Sequence, residues 1–263
     1  MKKFLFSIAT LFFAISMAVA QQYDVRLNLT PNVKVPFKAS TFTETEVNIP
    51  MKGVNKTNQT ANIEFVFSIM EKKGDNYVIN CVINKYEVSI NTDGKEQKFS
   101  AADTEKSEIS DNLKKVTSKI VQAEITQYFV LVGQVKPISE GLDQKDAEKI
   151  YEILDDFLGR IYPEQPIEKG KTVEKKKKNK LFQTTLADVN ENFYIMEQKW
   201  NVDENLQGVP MKGIGSMSYE IHRETGIPIN LLTTLPLEGS VASPIGNVSI
   251  KVKTTSTVSF MQE

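Results

Sequence analysis

The side chains able to do chemistry are few and scattered. His222 is the single histidine and Cys81 the single cysteine. A Ser-His-Asp triad would have to be built on His222, which shares strand parity with Ser216, Ser218 and Glu220. That places it on a polar strand face beside a turn, where a histidine is ordinarily solvated. Cys81 shares the parity of Tyr77, Ile79 and Ile83, an apolar side with no cationic neighbour to lower a thiol pKa. A single histidine rules out the paired-histidine helix of a metalloprotease. The sequence also lacks a Gly-x-Ser-x-Gly elbow, a phosphate-binding loop and an Asp-x-Asp-x-Asp-Gly calcium loop. Gly213-Ile214-Gly215 lies in a strand-like stretch with no helix after it. Glu152, Asp155 and Asp156 cluster as the acids of a glycosidase would, but they fall on the polar side of a predicted helix, where carboxylates are solvated. The reading is therefore non-catalytic: no catalytic residue, no metal ligand and no cofactor is assigned, and ligand-binding residues stay open.

Two further features bear on binding. The run Lys175-Lys176-Lys177-Lys178, with Lys180 close by, could meet anionic headgroups, a polyanionic glycan or nucleic acid. No aromatic side chain interleaves it and Glu168 and Glu174 stand near, so it reads as a solvated loop or an edge strand guarded by lysines. Trp200 shares parity with Tyr194, Met196 and Val202, the pattern of a core residue and not of a stacking platform.

The elements that hold these residues are mostly strands. Tyr23, Val25, Leu27 and Leu29 alternate with Asp24, Arg26, Asn28 and Thr30. At the other end Val248, Ile250, Val252, Thr254, Val258 and Phe260 alternate with hydroxyl and lysine side chains. Period two with one wet face belongs to antiparallel sheets. Turn chemistry places hairpins at Lys73-Gly74-Asp75-Asn76, Thr92-Asp93-Gly94-Lys95, Asn190-Glu191-Asn192 and Arg223-Glu224-Thr225-Gly226. These signals predict a mainly β, β-rich α+β fold: a single curved antiparallel sheet or partly closed barrel of about eleven strands, more than a flat open sheet holds comfortably. The polar stretch Pro50 to Ala61 and the segment Pro163 to Lys180 read as connections. Over residues 143–161, Ala147, Ile150, Tyr151, Leu154, Phe157, Leu158 and Ile161 recur at helical spacing, and a shorter helix is predicted over residues 109–120. Both stripes need burial, and the curve of the sheet is the expected place.

The start of the chain sets the compartment. Lys2 and Lys3 precede an apolar stretch from Phe4 to Met17, and Ala18-Val19-Ala20 follows as a small-residue cleavage site. Residues 1–20 are thus expected to be a signal peptide removed after Ala20, leaving residues 21–263 as a single periplasmic or secreted domain. The stretch is shorter than the roughly 20 residues of a spanning helix, so no membrane span is expected after processing. Gln21, not a cysteine, would lead the mature chain, so no lipid anchor is expected. The formal net charge is −1, and lower by two once Lys2 and Lys3 are removed, a balance unlike that of a general nucleic-acid binder. One cysteine excludes an internal disulfide, and a chain of 263 residues buries enough surface to fold without one.

The segment Tyr219-Glu220-Ile221-His222-Arg223-Glu224-Thr225-Gly226-Ile227-Pro228 resembles a hairpin of exported carriers of the lipoprotein-localisation-factor type. A broader pattern, a helix followed by Pro163-Glu164-Gln165-Pro166-Ile167-Glu168-Lys169-Gly170, resembles uncharacterised families of secreted or periplasmic β-rich bacterial proteins. It departs from them after Gly170, where Lys171 and Val173 stand in place of Asp and Trp. The carrier resemblance implies a curved sheet with an apolar cavity. The expected partner is accordingly an apolar or amphipathic, lipid-like small molecule held between sheet and helix. The alternative is an envelope protein partner met through a strand edge or the lysine-rich segment.

Overall fold

A computed structural model describes residues 21–100, 120–126, 132–138, 143–145, 147–148, 160–177, 180–206 and 208–261. The strands are β1 (Gln22–Tyr23), β2 (Lys34–Ile49), β3 (Gly53–Lys73), β4 (Asn76–Thr92), β5 (Lys95–Ser100), β6 (Ile120–Thr126) and β7 (Val132–Pro137). They continue as β8 (Ile167–Glu168), β9 (Thr172–Lys177), β10 (Lys180–Val189), β11 (Phe193–Leu206), β12 (Val209–His222), β13 (Pro228–Ser243) and β14 (Gly246–Phe260). Twelve of them form one sheet in the order β7-β6-β4-β3-β2-β14-β13-β12-β11-β10-β9, with β5 pairing the far half of β4. β1 and β8 form a separate pair. Among the described residues β7 and β9 do not pair, so the sheet is open there.

Long hairpins follow from the sequence because each strand alternates in period two and each turn residue fits its place. Gly74 at φ 59°, Gly94 at φ 84° and Gly226 at φ 68° take left-handed backbone at the predicted turns. One face of the sheet, called inner here, carries Val35 and Phe37 on β2, Phe65 and Phe67 on β3, Tyr77, Ile79 and Cys81 on β4, and Met217, Tyr219 and Ile221 on β12, all buried. Register puts these residues side by side: Phe37 opposes Phe65, Val35 opposes Phe67, and Phe67 opposes Cys81. The rings of Phe37 and Phe65 stack with centroids 5.3 Å apart.

The sheet curls strongly. The N–H of Asn28 donates to the Thr225 carbonyl at 2.8 Å, while the Tyr77 hydroxyl reaches the carbonyl of Leu27 at 3.4 Å and receives the N–H of Leu29 at 3.3 Å. Tyr77 lies on β4 and Thr225 in the turn after β12, five strand spacings apart in the sheet order. Laid flat, that is about 24 Å. One stretch of three residues touches both only because the face between them is concave. Register shifts at Glu64/Phe65, Ile69/Glu71 and Ser218/Glu220 supply the local bends that such curvature needs.

Four expectations change. The segment Pro50 to Ala61 is not a loop: a tight turn at residues 50–52 is followed by the first part of β3. Its residues are exposed or half-buried on both sides, so no period-two signal marks it. The connection Pro163 to Lys180 contains β8 and β9. The first predicted strand keeps its alternation, with Val25, Leu27 and Leu29 buried and Asp24, Arg26 and Asn28 exposed. Only Gln22–Tyr23 joins a ladder, because the segment beyond runs across the inner face instead of along a neighbour. Helices packed in the curve are not what the described residues show. Helical backbone is confined there to residues 144–145, 147–148 and 160–161, and the rest of the long predicted helix lies outside the described residues. The short predicted helix also lies outside them, except for Ile120, which opens β6.

Met51 is anomalous. It occupies a left-handed backbone, φ 68°, in a turn closed by the Lys52 N–H on the Ile49 carbonyl at 3.0 Å. Turns of this shape after a proline ordinarily place glycine there. Met51→Gly is therefore expected to raise stability by about 1 kcal/mol in urea unfolding.

Candidate functional site

The inner face divides into two regions. Among the described residues the sheet has a near end, carrying the turns at residues 74–75, 190–192 and 223–227, and a far end, carrying those at 50–52, 93–94, 208 and 244–245. Toward the near end the face is fully packed. The segment from Val25 to Leu29 and the residues Ile161 and Tyr162 fill it. Three consecutive carbonyls are bound there by side chains of the sheet. Gln198 Nε2 donates to Arg160 at 2.7 Å, the Tyr219 hydroxyl to Ile161 at 2.7 Å and Lys175 Nζ to Tyr162 at 3.4 Å. The Tyr162 hydroxyl in turn donates to the Gly226 carbonyl at 2.7 Å. Burial pushes both tyrosine hydroxyls well above their ordinary pKa, so they act only as neutral donors. These groups hold the chain in place.

Toward the far end the same face loosens over β4, β3, β2 and β14, while Val202, Met211 and Leu237 keep it buried over β11 to β13. Along β2, Val35 and Phe37 are buried, whereas Ala39, Thr41, Thr43, Thr45 and Val47 are half-buried. The opposing residues on β14, Ile250, Val252, Thr254 and Ser256, are half-buried too, as are Leu235 on β13 and Val88 and Ile90 on β4. Here the face mixes aliphatic groups with hydroxyls. The hydroxyls satisfy one another across strands: Thr41 Oγ1 lies 2.9 Å from Ser256 Oγ, and Thr43 Oγ1 lies 3.2 Å from Thr254 Oγ1. Paired hydroxyls do not demand water, so the stretch can accept an apolar chain and still present acceptors to a polar group. Sequence reading assigned no ligand residue. The signal was present in β14, where the inward row changes from Val248, Ile250 and Val252 to Thr254 and Ser256 before returning to Val258 and Phe260.

Among the described residues, those singled out for chemistry are not brought together. His222 is half-buried at the end of β12, its Nδ1 3.1 Å from Thr225 Oγ1 and its ring against Phe193. Cys81 is buried in β4, and desolvation pushes its thiol up to about 12. The unfolded thiol, with its ordinary value of 9.0, loses its proton first, so stability is expected to fall as pH rises from about 9 to about 12, and a thiol reagent at neutral pH should label Cys81 only on unfolding. Glu152, Asp155 and Asp156 lie outside the described residues. Among the described residues no three His, Cys, Asp or Glu side chains gather as metal ligands would.

Trp200 is buried between Phe182, at 5.7 Å, and the guanidinium of Arg160, at 5.2 Å from its ring. Of the lysine run, Lys175, Lys176 and Lys177 lie in the edge strand β9, where Lys175 turns inward beside Glu164 at 3.9 Å while Lys176 is exposed; Lys178 lies outside the described residues. On the opposite, outer face a shallow depression of about 300 Å³ is lined by Glu44, Glu46, Pro236, Glu238, Lys251 and Lys253 together with Leu237 and Val252. Its charges include the Lys251–Glu238 pair at 3.5 Å.

No family model matches the sequence, and no curated protein matches it. A solved structure described as "Lipid-protein interactions in lipovitellin" is similar in fold, with a TM-score of 0.60 at 9% identity over 89% of this chain. The chain spans only 26% of that lipovitellin chain. An outer membrane channel from Pseudomonas putida F1 aligns over 89% of this chain and 97% of its own at 6% identity, with a TM-score of 0.25, too low to describe a common fold. The chain is thus similar to part of lipovitellin in its large curved antiparallel sheet.

Proposed function

We propose that the protein is exported with removal of residues 1–20, and that it acts without catalysis as a carrier of an apolar or amphipathic, lipid-like ligand. The observation that carries this reading is the change along one sheet face, from buried Val35 and Phe37 to half-buried Thr43, Val47 and Val252. Apolar area left partly open on a concave surface is where such ligands sit. The fold shared with a lipovitellin structure described for lipid–protein interactions supports the same class of ligand. The alternative of an envelope partner added at the β9 edge is disfavoured by Lys176 and Lys177, since edge lysines oppose strand addition.

The test is a fluorescent fatty-acid probe titrated into detergent-free protein, alongside native mass spectrometry for a co-purified lipid. Val252→Lys places a charge on the half-buried stretch, where Val252 packs against the margin of the core. It is expected to weaken probe binding about tenfold or more, at a stability cost of about 1 to 2 kcal/mol that leaves the protein folded. Absence of probe binding and of a co-purified lipid in the wild-type protein would remove the carrier reading.

A further inference from the structure

The described turns at the two ends of the sheet differ in chemistry. Among the described residues the near-end tips are Gly74-Asp75, Asn190-Glu191-Asn192 and Arg223-Glu224-Thr225, and none of these exposes a large apolar side chain; the nearest such residue, Met70, lies within β3. At the far end Met51 is 97% exposed and Val54 53% in the β2–β3 hairpin, Ile245 49% and Val241 38% in the β13–β14 hairpin, and Leu206 41% before the β11–β12 turn. The sheet order β3-β2-β14-β13-β12-β11 sets these three hairpins side by side. The first two touch: a side chain built on Gly246 would meet Pro50 at 3.1 Å.

Met51 sharpens the contrast, because it stands in a left-handed position where glycine would be easier. Neither turn geometry nor packing accounts for a fully exposed methionine there. Around the tips, Lys52, Lys95 and Lys176 make no ion pair among the described residues. Nearby carboxylates are mostly neutralised: Glu46 pairs with Lys56 and Glu204 with Lys180, each at 2.5 Å, and Asp203 pairs with Lys212 at 3.2 Å. Asp93 is the exception.

We propose that this end is a membrane-docking rim, whose three hairpin tips seat apolar side chains in a bilayer interface while the surrounding lysines face anionic headgroups. Shallow insertion of exposed apolar groups beside free cations is the recognised physics of reversible surface binding. The rim stands apart from the carrier reading, since it needs no ligand on the inner face. Together they would let a lipid enter the concave face directly from the membrane.

Sedimentation with vesicles of phosphatidylglycerol and phosphatidylcholine, against phosphatidylcholine alone, tests it on the purified protein. The expected result is preferential binding to the anionic vesicles, weakened by salt. Met51→Gly combined with Ile245→Ser is expected to weaken that binding about tenfold, with melting temperature unchanged or raised. Lys52→Glu with Lys176→Glu should remove the preference for anionic vesicles. In vesicle-free solution the Met51→Gly, Ile245→Ser protein should bind the fatty-acid probe like wild type, which separates docking from carrying. Failure of the wild type to sediment, equal binding by the double variant, or a concentration-dependent dimer abolished by the same substitutions would overturn the proposal, the last by assigning the rim to a second copy.

Discussion

Gly226→Ala should be among the most damaging single methyl additions, costing more than about 4 kcal/mol or preventing folding. Gly226 combines three constraints. Its backbone is left-handed at φ 68°, its N–H donates to the His222 carbonyl at 2.7 Å, and its own carbonyl receives the Tyr162 hydroxyl at 2.7 Å. A Cβ there would stand 1.9 Å from the Arg26 carbonyl oxygen and 2.7 Å from the Leu27 Cα, both backbone atoms of the segment that fills the concave face. The segment would have to lift, exposing Val25, Leu27 and Leu29 together. Gly74→Ala supplies the control: it has a similar φ, 59°, but no atom within 4 Å of the new Cβ, so it should cost only about 1 kcal/mol. Urea midpoints of the two variants, and protease cleavage at Arg26, separate strain from displacement.

This contrast also marks what local sequence can carry. Both glycines were legible as turn residues, and all four hairpins inferred from turn chemistry are present. The alternation of β4, β11 and β12 predicted the buried face correctly, including Cys81, Met196, Trp200 and Val202, whereas the inward row of β14 is only half-buried. Parity is a property of a strand alone, so a single strand reveals it. That Gly226 must press against Arg26 is not local. It depends on curvature summed over five strand spacings, which no window of sequence contains.

The misread elements fail for the same reason. Asn55 to Thr60 looks like a loop because both faces of β3 are wet there, yet pairing of Asn58 with Glu44 and Asn91 fixes it as a strand. Val25, Leu27 and Leu29 look like a strand because they are buried alternately. They are buried by lying across a sheet, with hydrogen bonds going to Tyr77 and Thr225. The candidate site was legible only as a substitution of hydroxyls into an apolar row. Whether Thr43 or Thr254 faces packing or open space is decided by how far the filling segment reaches along the concave face.

Trp200 offers the second large effect and a direct view of the packed region. Trp200→Ala should cost about 3 to 5 kcal/mol, because the ring fills space between Phe182, Arg160 and Gly215. Gly215 is its cross-strand partner, and a Cβ there would lie 2.2 Å from the indole. Gly215→Ala should therefore be strongly destabilising in the wild-type background and much less so beside Trp200→Ala, where the added methyl enters the vacated volume. A coupling well above about 0.5 kcal/mol in the double-mutant cycle is the expected sign of that contact. As the chain's one tryptophan, Trp200 reports this region without labelling. Its emission should be that of a buried indole, quenched little by iodide, and unchanged when a fatty-acid probe occupies the half-buried stretch near Val252. Emission that shifted on probe binding, with additive costs for the two substitutions, would place the ligand against the tryptophan and show that the near end is less tightly filled than Tyr162, Phe182 and Ile161 imply.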